Sequence, residues 1–279
     1  MSGTRAQLII DLERIETEEY KLREGEVHAD YIRLMLEYIG DPQPELRDNL
    51  IYPVFYMWIL EQQLFNADEL RSLLAVLLDE QHLFYGIGSG KNNSVFTRTF
   101  SVLPVALIMQ RHIEQPFLTI EEFCNLKDAL LRYYHEEKDL RGYVEEGGWA
   151  HAAAHGADAL AKLVQCPESS AEVQLEVLEA IRDMLQNRMF PFSEEEDERM
   201  ATIVDTIIIK ERLAWDSIAG WLSRLSECAD WPKERSQRIA QVNSKNFLRC
   251  LYFRRARKER DEAFEEVLLA AEAGLNRFC

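Results

Sequence analysis

The stretch Thr119-Ile-Glu-Glu-Phe-Cys-Asn-Leu-Lys-Asp-Ala-Leu-Leu131 decides the fold. Its apolar residues Phe123, Leu126, Leu130 and Leu131 recur at helical spacing and form one stripe. Ahead of them, Thr119-x-x-Glu122 is a capping box, in which the threonine oxygen accepts an orphan backbone N–H and the glutamate reaches back to the cap. The same construction recurs on both sides. Asn66-x-x-Glu69 precedes the stripe Leu70, Leu73, Leu74, Leu77 and Leu78, and Ser169-x-x-Glu172 precedes Val173, Val177, Leu178, Ile181 and Leu185. Ser193-x-x-Glu196, after Pro191, reads as a fourth box. No convincing period-2 run interrupts this pattern, so the chain reads as all-α.

The first three caps fall 53 and 50 residues apart, which suggests an internal repeat. In each unit a capped apolar helix leads to a glycine-bearing loop and a second helix. Phe84-Tyr-Gly-Ile-Gly-Ser-Gly90 precedes a helix beginning near Asn93-Ser-Val-Phe96, and Leu140 to Gly148 precedes one beginning near Trp149. Phe96 and Trp149, again 53 apart, occupy matching places. One step earlier Pro44 opens a helix containing Tyr52, Pro53 and Trp58. Recurring helix pairs cannot bury both faces alone, so they stack. The expectation is one domain over 1–279, a HEAT-like α-solenoid forming a right-handed superhelix of stacked helical hairpins. Its repeat-like core covers roughly 43–212 and a helical cap covers 213–279. The cap begins with Leu213 to Leu225 and is broken at Asp230-Trp-Pro232. An open solenoid and a closed toroid both fit this pattern.

A chain of 279 residues with 47% hydrophobic and 29% charged residues describes a folded globular protein. Its net charge of −17 repels nucleic acid and anionic lipid. The basic run Arg254 to Arg260 is followed by Asp261, Glu262, Glu265 and Glu266, and reads as an i,i+4-paired solvated face. Five scattered cysteines without a Cys-x-x-Cys suggest neither a disulfide framework nor a thiolate metal site. No apolar signal region opens the chain, and the apolar stretch Val102 to Met109 is far short of the roughly 20 residues that span a bilayer. A cytoplasmic protein without membrane or nucleic-acid partners is expected.

The chemistry gathers in Asp139-Leu-Arg-Gly-Tyr-Val-Glu-Glu-Gly-Gly-Trp-Ala-His-Ala-Ala-Ala-His-Gly-Ala-Asp158. At about 100° per residue, His151, His155 and Asp158 share one helix face. The i,i+4 histidines are spaced to meet one divalent metal, but about 10.5 Å of rise keeps Asp158 from joining His151 on it. Asp158 instead suits fixing the His155 tautomer. The bland alternative buries both histidines among small residues at a tight helix crossing. Repeat alignment sets Arg98 opposite His151 and Ser101 near His155, while Arg47 opens the preceding equivalent helix. If these helices share a wall, Arg47, Arg98, Arg141, His151 and His155 converge in a concave pocket for a carboxylate or phosphate. Otherwise Arg98 and Arg141 pair with Asp48, Asp139, Glu145 or Asp158 as inter-repeat staples. The glycine loop before Lys91 fails as a Walker A motif, because Tyr85 stands at its first glycine and Asn92 at its Ser/Thr.

Three segments also carry a family resemblance: Leu46-Arg-Asp48 with Tyr52-Pro53, Ser94 to Ser101, and Asp139-Leu-Arg-Gly-Tyr143 with Gly148-Trp-Ala-His-Ala-Ala-Ala-His-Gly-Ala-Asp158. On these residues the chain resembles the bacterial family with the domain of unknown function 2785 (DUF2785). The resemblance implies an all-helical protein, no established activity, and three motifs that belong together. The expected function is a binding or scaffold protein for a peptide or small anionic ligand, with Arg47, Arg98, Ser101, Arg141, Tyr143, Trp149, His151, His155 and Asp158 as candidate contacts. The alternative is a metal-assisted hydrolase with His151 and His155 as ligands. A HEAT-like nucleic-acid enzyme is a third reading, against which the charge counts. No cofactor is required beyond that divalent metal.

Overall fold

Apolar stripes become the buried faces of helices, and local caps set their ends. The computed structural model describes residues 2–258 and 261–278. In chain order it contains α1 (Ser2–Thr17) and α2 (His28–Glu37). A continuous run then joins α3 (Pro44–Leu46), a π-helical turn (Arg47–Ile51), α4 (Tyr52–Tyr56) and a second π-helical turn (Met57–Glu61). Next come α5 (Ala67–Leu77), α6 (Ser94–Glu114) and α7 (Ile120–Glu136). Two short strands, β1 (Tyr143–Val144) and β2 (Gly148–Trp149), precede α8 (Ala152–Leu163), α9 (Ala171–Leu185) and α10 (Glu196–Lys210). The chain ends with α11 (Trp215–Arg224), a 3-10 turn (Leu225–Asp230), α12 (Arg235–Ala256) and α13 (Glu262–Leu275). The protein is mostly helical.

Two capping boxes form as the sequence predicts, at Asn66 and at Thr119. The other two do not. Helix α9 is capped by Ser170, whose hydroxyl accepts from the Val173 N–H, because the helix starts one residue later than expected. At α10 the cap is Glu195 in a left-handed conformation, while the Glu196 side chain turns back to accept from the Glu194 N–H at 2.8 Å. Pro53 has no N–H to donate, and the widened turn that precedes it absorbs the missing bond.

The expected stripes are buried. Leu70, Leu73, Leu74 and Leu77 pack inward on α5, Phe123, Leu126 and Leu130 on α7, and Val177, Leu178, Ile181 and Leu185 on α9. One apolar cluster contains residues from Leu8 to Leu275. Three helices, α6, α8 and α10, lie side by side. They run parallel. Near their starts the Phe100 and His155 rings meet, and Arg199 pairs with Asp158. Near their ends Lys162 donates to Gln110 at 2.7 Å, and Arg212 to the Cys166 carbonyl at 2.7 Å. Helix α7 returns beside α9, tied by Lys127 to Glu176 at 2.6 Å. The N-terminal ends of α6, α8 and α10 therefore share one side of the molecule.

Other expectations are corrected. The helix placed near Trp149 begins at Ala152, since Tyr143 pairs with Trp149 and Val144 with Gly148 in a small antiparallel hairpin. Phe96 is buried inside α6 while Trp149 is 40% exposed on that hairpin, so the two are not structural equivalents. In the basic run, Arg254 pairs with Glu198, and Arg255 and Lys258 pair with Asp205. These ties reach across to α10 instead of along the helix, and Glu259 and Arg260 lie outside the described residues. Cys124, Cys166, Cys228 and Cys250 are free, and Cys279 lies outside the described residues. Among the described residues no helix is long and apolar enough to cross a membrane.

Candidate functional site

The hairpin between α7 and α8 builds the approach to His151. Gly147 lies against the Phe96 ring so closely that a Cβ would stand 2.4 Å from it. Gly148 takes φ +71, a left-handed conformation that favours glycine, and its neighbour Pro44 leaves no room for a side chain. Beneath them Val95, Phe96, Ala150 and Ala152 form a small separate cluster. The hairpin closes through the N–H groups of Ala150 and His151, which donate to Gly142 and Arg141 at 2.8 and 3.0 Å. His151 is thereby held at φ 47 as the residue before α8. A left-handed non-glycine residue of this kind costs about 1–3 kcal/mol and persists only where its surroundings impose it.

The arginines do not join the histidines in one pocket. Arg47 is fully buried, sandwiched between the rings of Phe96 and Phe100 at 4.1 and 4.4 Å. Its guanidinium donates to the Asp41 carbonyl at 2.7 Å, the Gly147 carbonyl at 2.6 Å and the Asp48 carboxylate at 2.9 Å. Arg98 is also fully buried and grips both oxygens of Glu137, at 2.6 and 2.9 Å. Its remaining nitrogen donates to Ser94 and the Tyr85 carbonyl, both at 2.8 Å. The glycine loop thus turns carbonyls toward a cation; it does not turn N–H groups toward an anion. Arg141 holds Asp139 through two bonds, at 2.7 and 2.5 Å, and donates to the Asn92 carbonyl at 2.9 Å. Ser101 is buried and donates to the Thr97 carbonyl at 2.7 Å. These residues staple helices and loops together. Of the partners expected for Arg98 and Arg141, Asp139 serves Arg141, whereas Arg98 takes Glu137 and Asp48 pairs with Arg47.

The histidines open onto a cavity of about 570 Å³, lined by Trp149, His151, His155, Ser193, Glu194, Glu195 and Arg199. Trp149 stacks on the His151 ring at 4.4 Å, and Tyr143 meets Trp149 edge-on at 5.0 Å. The two imidazoles stand 5.6 Å apart, nearly perpendicular. Each is 9% exposed, and His151 Nε2 and His155 Nδ1 have no hydrogen-bond partner. The Glu194 backbone beside His151 and the Thr99 backbone beside His155 favour the protonated rings and oppose the effect of burial. Burial, aided by Arg199, lowers the pKa of His151. Burial, aided by His151, lowers that of His155 to about 3. Both rings are neutral near pH 7. A neutral imidazole carries its proton on one nitrogen and leaves the other as a lone-pair acceptor. Asp158 lies beside the site paired to Arg199, and burial pushes its carboxyl up in spite of that cation. It serves Arg199, not His155.

A family model described as "Protein of unknown function (DUF2785)" matches residues 83–253. The chain belongs to the DUF2785 family. Neither the curated proteins nor the solved structures gave a match. The DUF2785 segment contains the Arg98–Glu137 clamp, the hairpin and the whole cavity lining, whereas Arg47 and Tyr52 precede it.

Sequence reading missed the far wall of this site. Ser193, Glu194 and Glu195 read as parts of a helix cap, and nothing in the sequence singles out Arg199. The signal that could have found them is glycine: a Cβ at Gly142 would stand 2.3 Å from the Glu194 side chain, so the hairpin root requires this loop against it. Among the described residues no group of three or more His, Cys, Asp or Glu side chains is arranged to hold a metal ion.

Proposed function

We propose that this DUF2785 protein is a binding protein whose ligand enters the cavity between the starts of α8 and α10. The observation that carries the reading is a pair of nine-tenths-buried imidazoles in the wall of one cavity, each with an unpartnered nitrogen. Leaving a buried polar atom unpaired costs about 1–3 kcal/mol, a penalty that a ligand relieves. Two left-handed residues, His151 and Glu195, border the same space, and strain of that kind gathers at ligand sites. Trp149 offers an exposed aromatic face. Arg199 offers guanidinium donors beyond those used by Asp158. A small anionic molecule with a flat or apolar portion, or an acidic peptide end, fits this set.

The scaffold reading is a one-domain HEAT-like stack, supported by the parallel row α6, α8 and α10 with α7 returning beside α9. The hydrolytic alternative depends on an ion held by His151 and His155. The net charge of −17 supports neither a nucleic-acid nor an anionic-membrane partner.

The test is a thermal-shift panel of small di- and tricarboxylates and phosphate monoesters against wild type, Arg199→Gln and Trp149→Ala. The reading predicts that at least one acid raises the wild-type midpoint and loses its effect in both variants. No shift with any acid, or equal shifts in the variants, contradicts it.

A further inference from the structure

We infer that His151 Nε2 and His155 Nδ1 form a two-nitrogen chelate for a divalent transition metal such as zinc. This deepens the proposed reading of the cavity as a binding site and rests on it. Three observations meet here. Both nitrogens are buried and unpartnered, on rings that line one cavity. The Glu194 backbone lies beside the His151 ring and the Thr99 backbone beside the His155 ring. In metal sites a backbone carbonyl beside the second ring nitrogen fixes the tautomer and raises the basicity of the ligating nitrogen, and these two backbone groups are placed for that part. The third observation is spacing. With zinc–nitrogen bonds of about 2.0–2.1 Å and a ring centroid about 1.1 Å behind each nitrogen, two imidazoles on one ion stand about 5–5.5 Å apart at angles near 110–120°. The observed separation is 5.6 Å.

The rigidity of the pair is built in. The hairpin fixes His151, with Trp149 stacked on one side of its ring, and Phe100 packs edge-on to His155. Neutral imidazole is the ligating form, so an ion meets two ready lone pairs. No third His, Cys, Asp or Glu among the described residues completes the set. The remaining positions therefore belong to water or an exogenous ligand, with one protein ligand fewer than the three that open zinc sites use. Glu194 and Glu195 at the rim offset the charge that Arg199 adds. Arg199 in turn favours an anionic co-ligand on the ion, linking this inference to the small acid proposed above.

The test is calorimetric titration of untagged protein with zinc chloride, for wild type and for His151→Ala, His155→Phe and the distant control His135→Ala. Each variant's melting curve is recorded so that misfolding is told apart from lost binding. One zinc per chain is expected for wild type and the control. Affinity should fall roughly 100-fold or more in either cavity variant that melts like wild type. Zinc K-edge absorption of the loaded protein should show two imidazole ligands, a readout that stands even if one variant fails to fold. Absence of stoichiometric zinc binding, or binding unchanged in a folded cavity variant, overturns the inference. An acid that binds metal-free wild type through Arg199 and Trp149 would leave the cavity reading intact while the chelate fails. Zinc bound without any acid in the panel would separate the two in the other direction.

Discussion

The buried arginines and the buried histidines lie within one stack of helices and obey opposite accounting. Arg47 and Arg98 are fully buried cations, and each has its guanidinium donors taken by carbonyls, a hydroxyl or a carboxylate. His151 and His155 are nearly as buried, yet each leaves one nitrogen without a partner in a cavity wall. Satisfied polar groups at that depth specify a fold. Unsatisfied ones beside a cavity indicate where something else binds. The contrast separates architecture from site more clearly than charge does, because the residues with the greatest charge do the structural work.

The largest effect should come from breaking the Arg98 clamp. Arg98→Met strands the fully buried Glu137 carboxylate and should cost about 3–5 kcal/mol in urea unfolding, with partial recovery when Glu137→Leu is added. Arg47→Met removes two stacked rings' cation and leaves the Asp41 and Gly147 carbonyls short of a donor. A loss of about 2–4 kcal/mol is expected, measured the same way, with the hairpin amides gaining hydrogen-exchange rate ahead of the rest.

The histidines should behave differently. His155 binds its proton in the folded state only near pH 3, but near 6.5 once unfolded. Unfolding therefore takes up a proton below pH 6.5. Stability is full above that value and declines as pH falls toward 3, by at most about 1.4 kcal/mol per unit from this group. His155→Phe should flatten that slope while changing stability at pH 7.5 by no more than about 1 kcal/mol. Chemical unfolding at a series of pH values reads both. The smallest effect is at the rim. Glu195 sits at φ 64, so Glu195→Gly should raise stability by about 0.5 kcal/mol, seen as a small increase in the urea midpoint.

Much of the architecture was legible because its signals are local. Asn66 and Thr119 lie three residues from the glutamates that complete their boxes, and the stripes behind them need no distant partner. Ser169 was mistaken for Ser170 because adjacent serines offer the same cap. The hairpin escaped notice since only two residues on each side pair, too few for a period of two. The site was half legible. His151, His155 and Trp149 stood out as chemistry amid alanines, but the arginines that seemed to converge on them find partners elsewhere in the chain. Glu137 lies 39 residues from Arg98, and Gly147 lies 100 residues from Arg47. Arg199 reaches the site only because α10 packs parallel to α8, a tertiary fact that no spacing in the sequence records.

The most direct test of the contrast is a pH series of imidazole ¹⁵N spectra on wild-type protein, with His151 and His155 assigned by substitution. The account predicts that both rings are neutral at pH 7, that His151 titrates below its usual 6.5 and His155 only near pH 3, and that each keeps one tautomer, with His151 Nε2 and His155 Nδ1 unprotonated. Their non-protonated nitrogens should carry the shift of free lone pairs. Two rings that titrate near pH 6.5 with exchanging tautomers would contradict it, and would make the pair ordinary surface histidines instead of a prepared site.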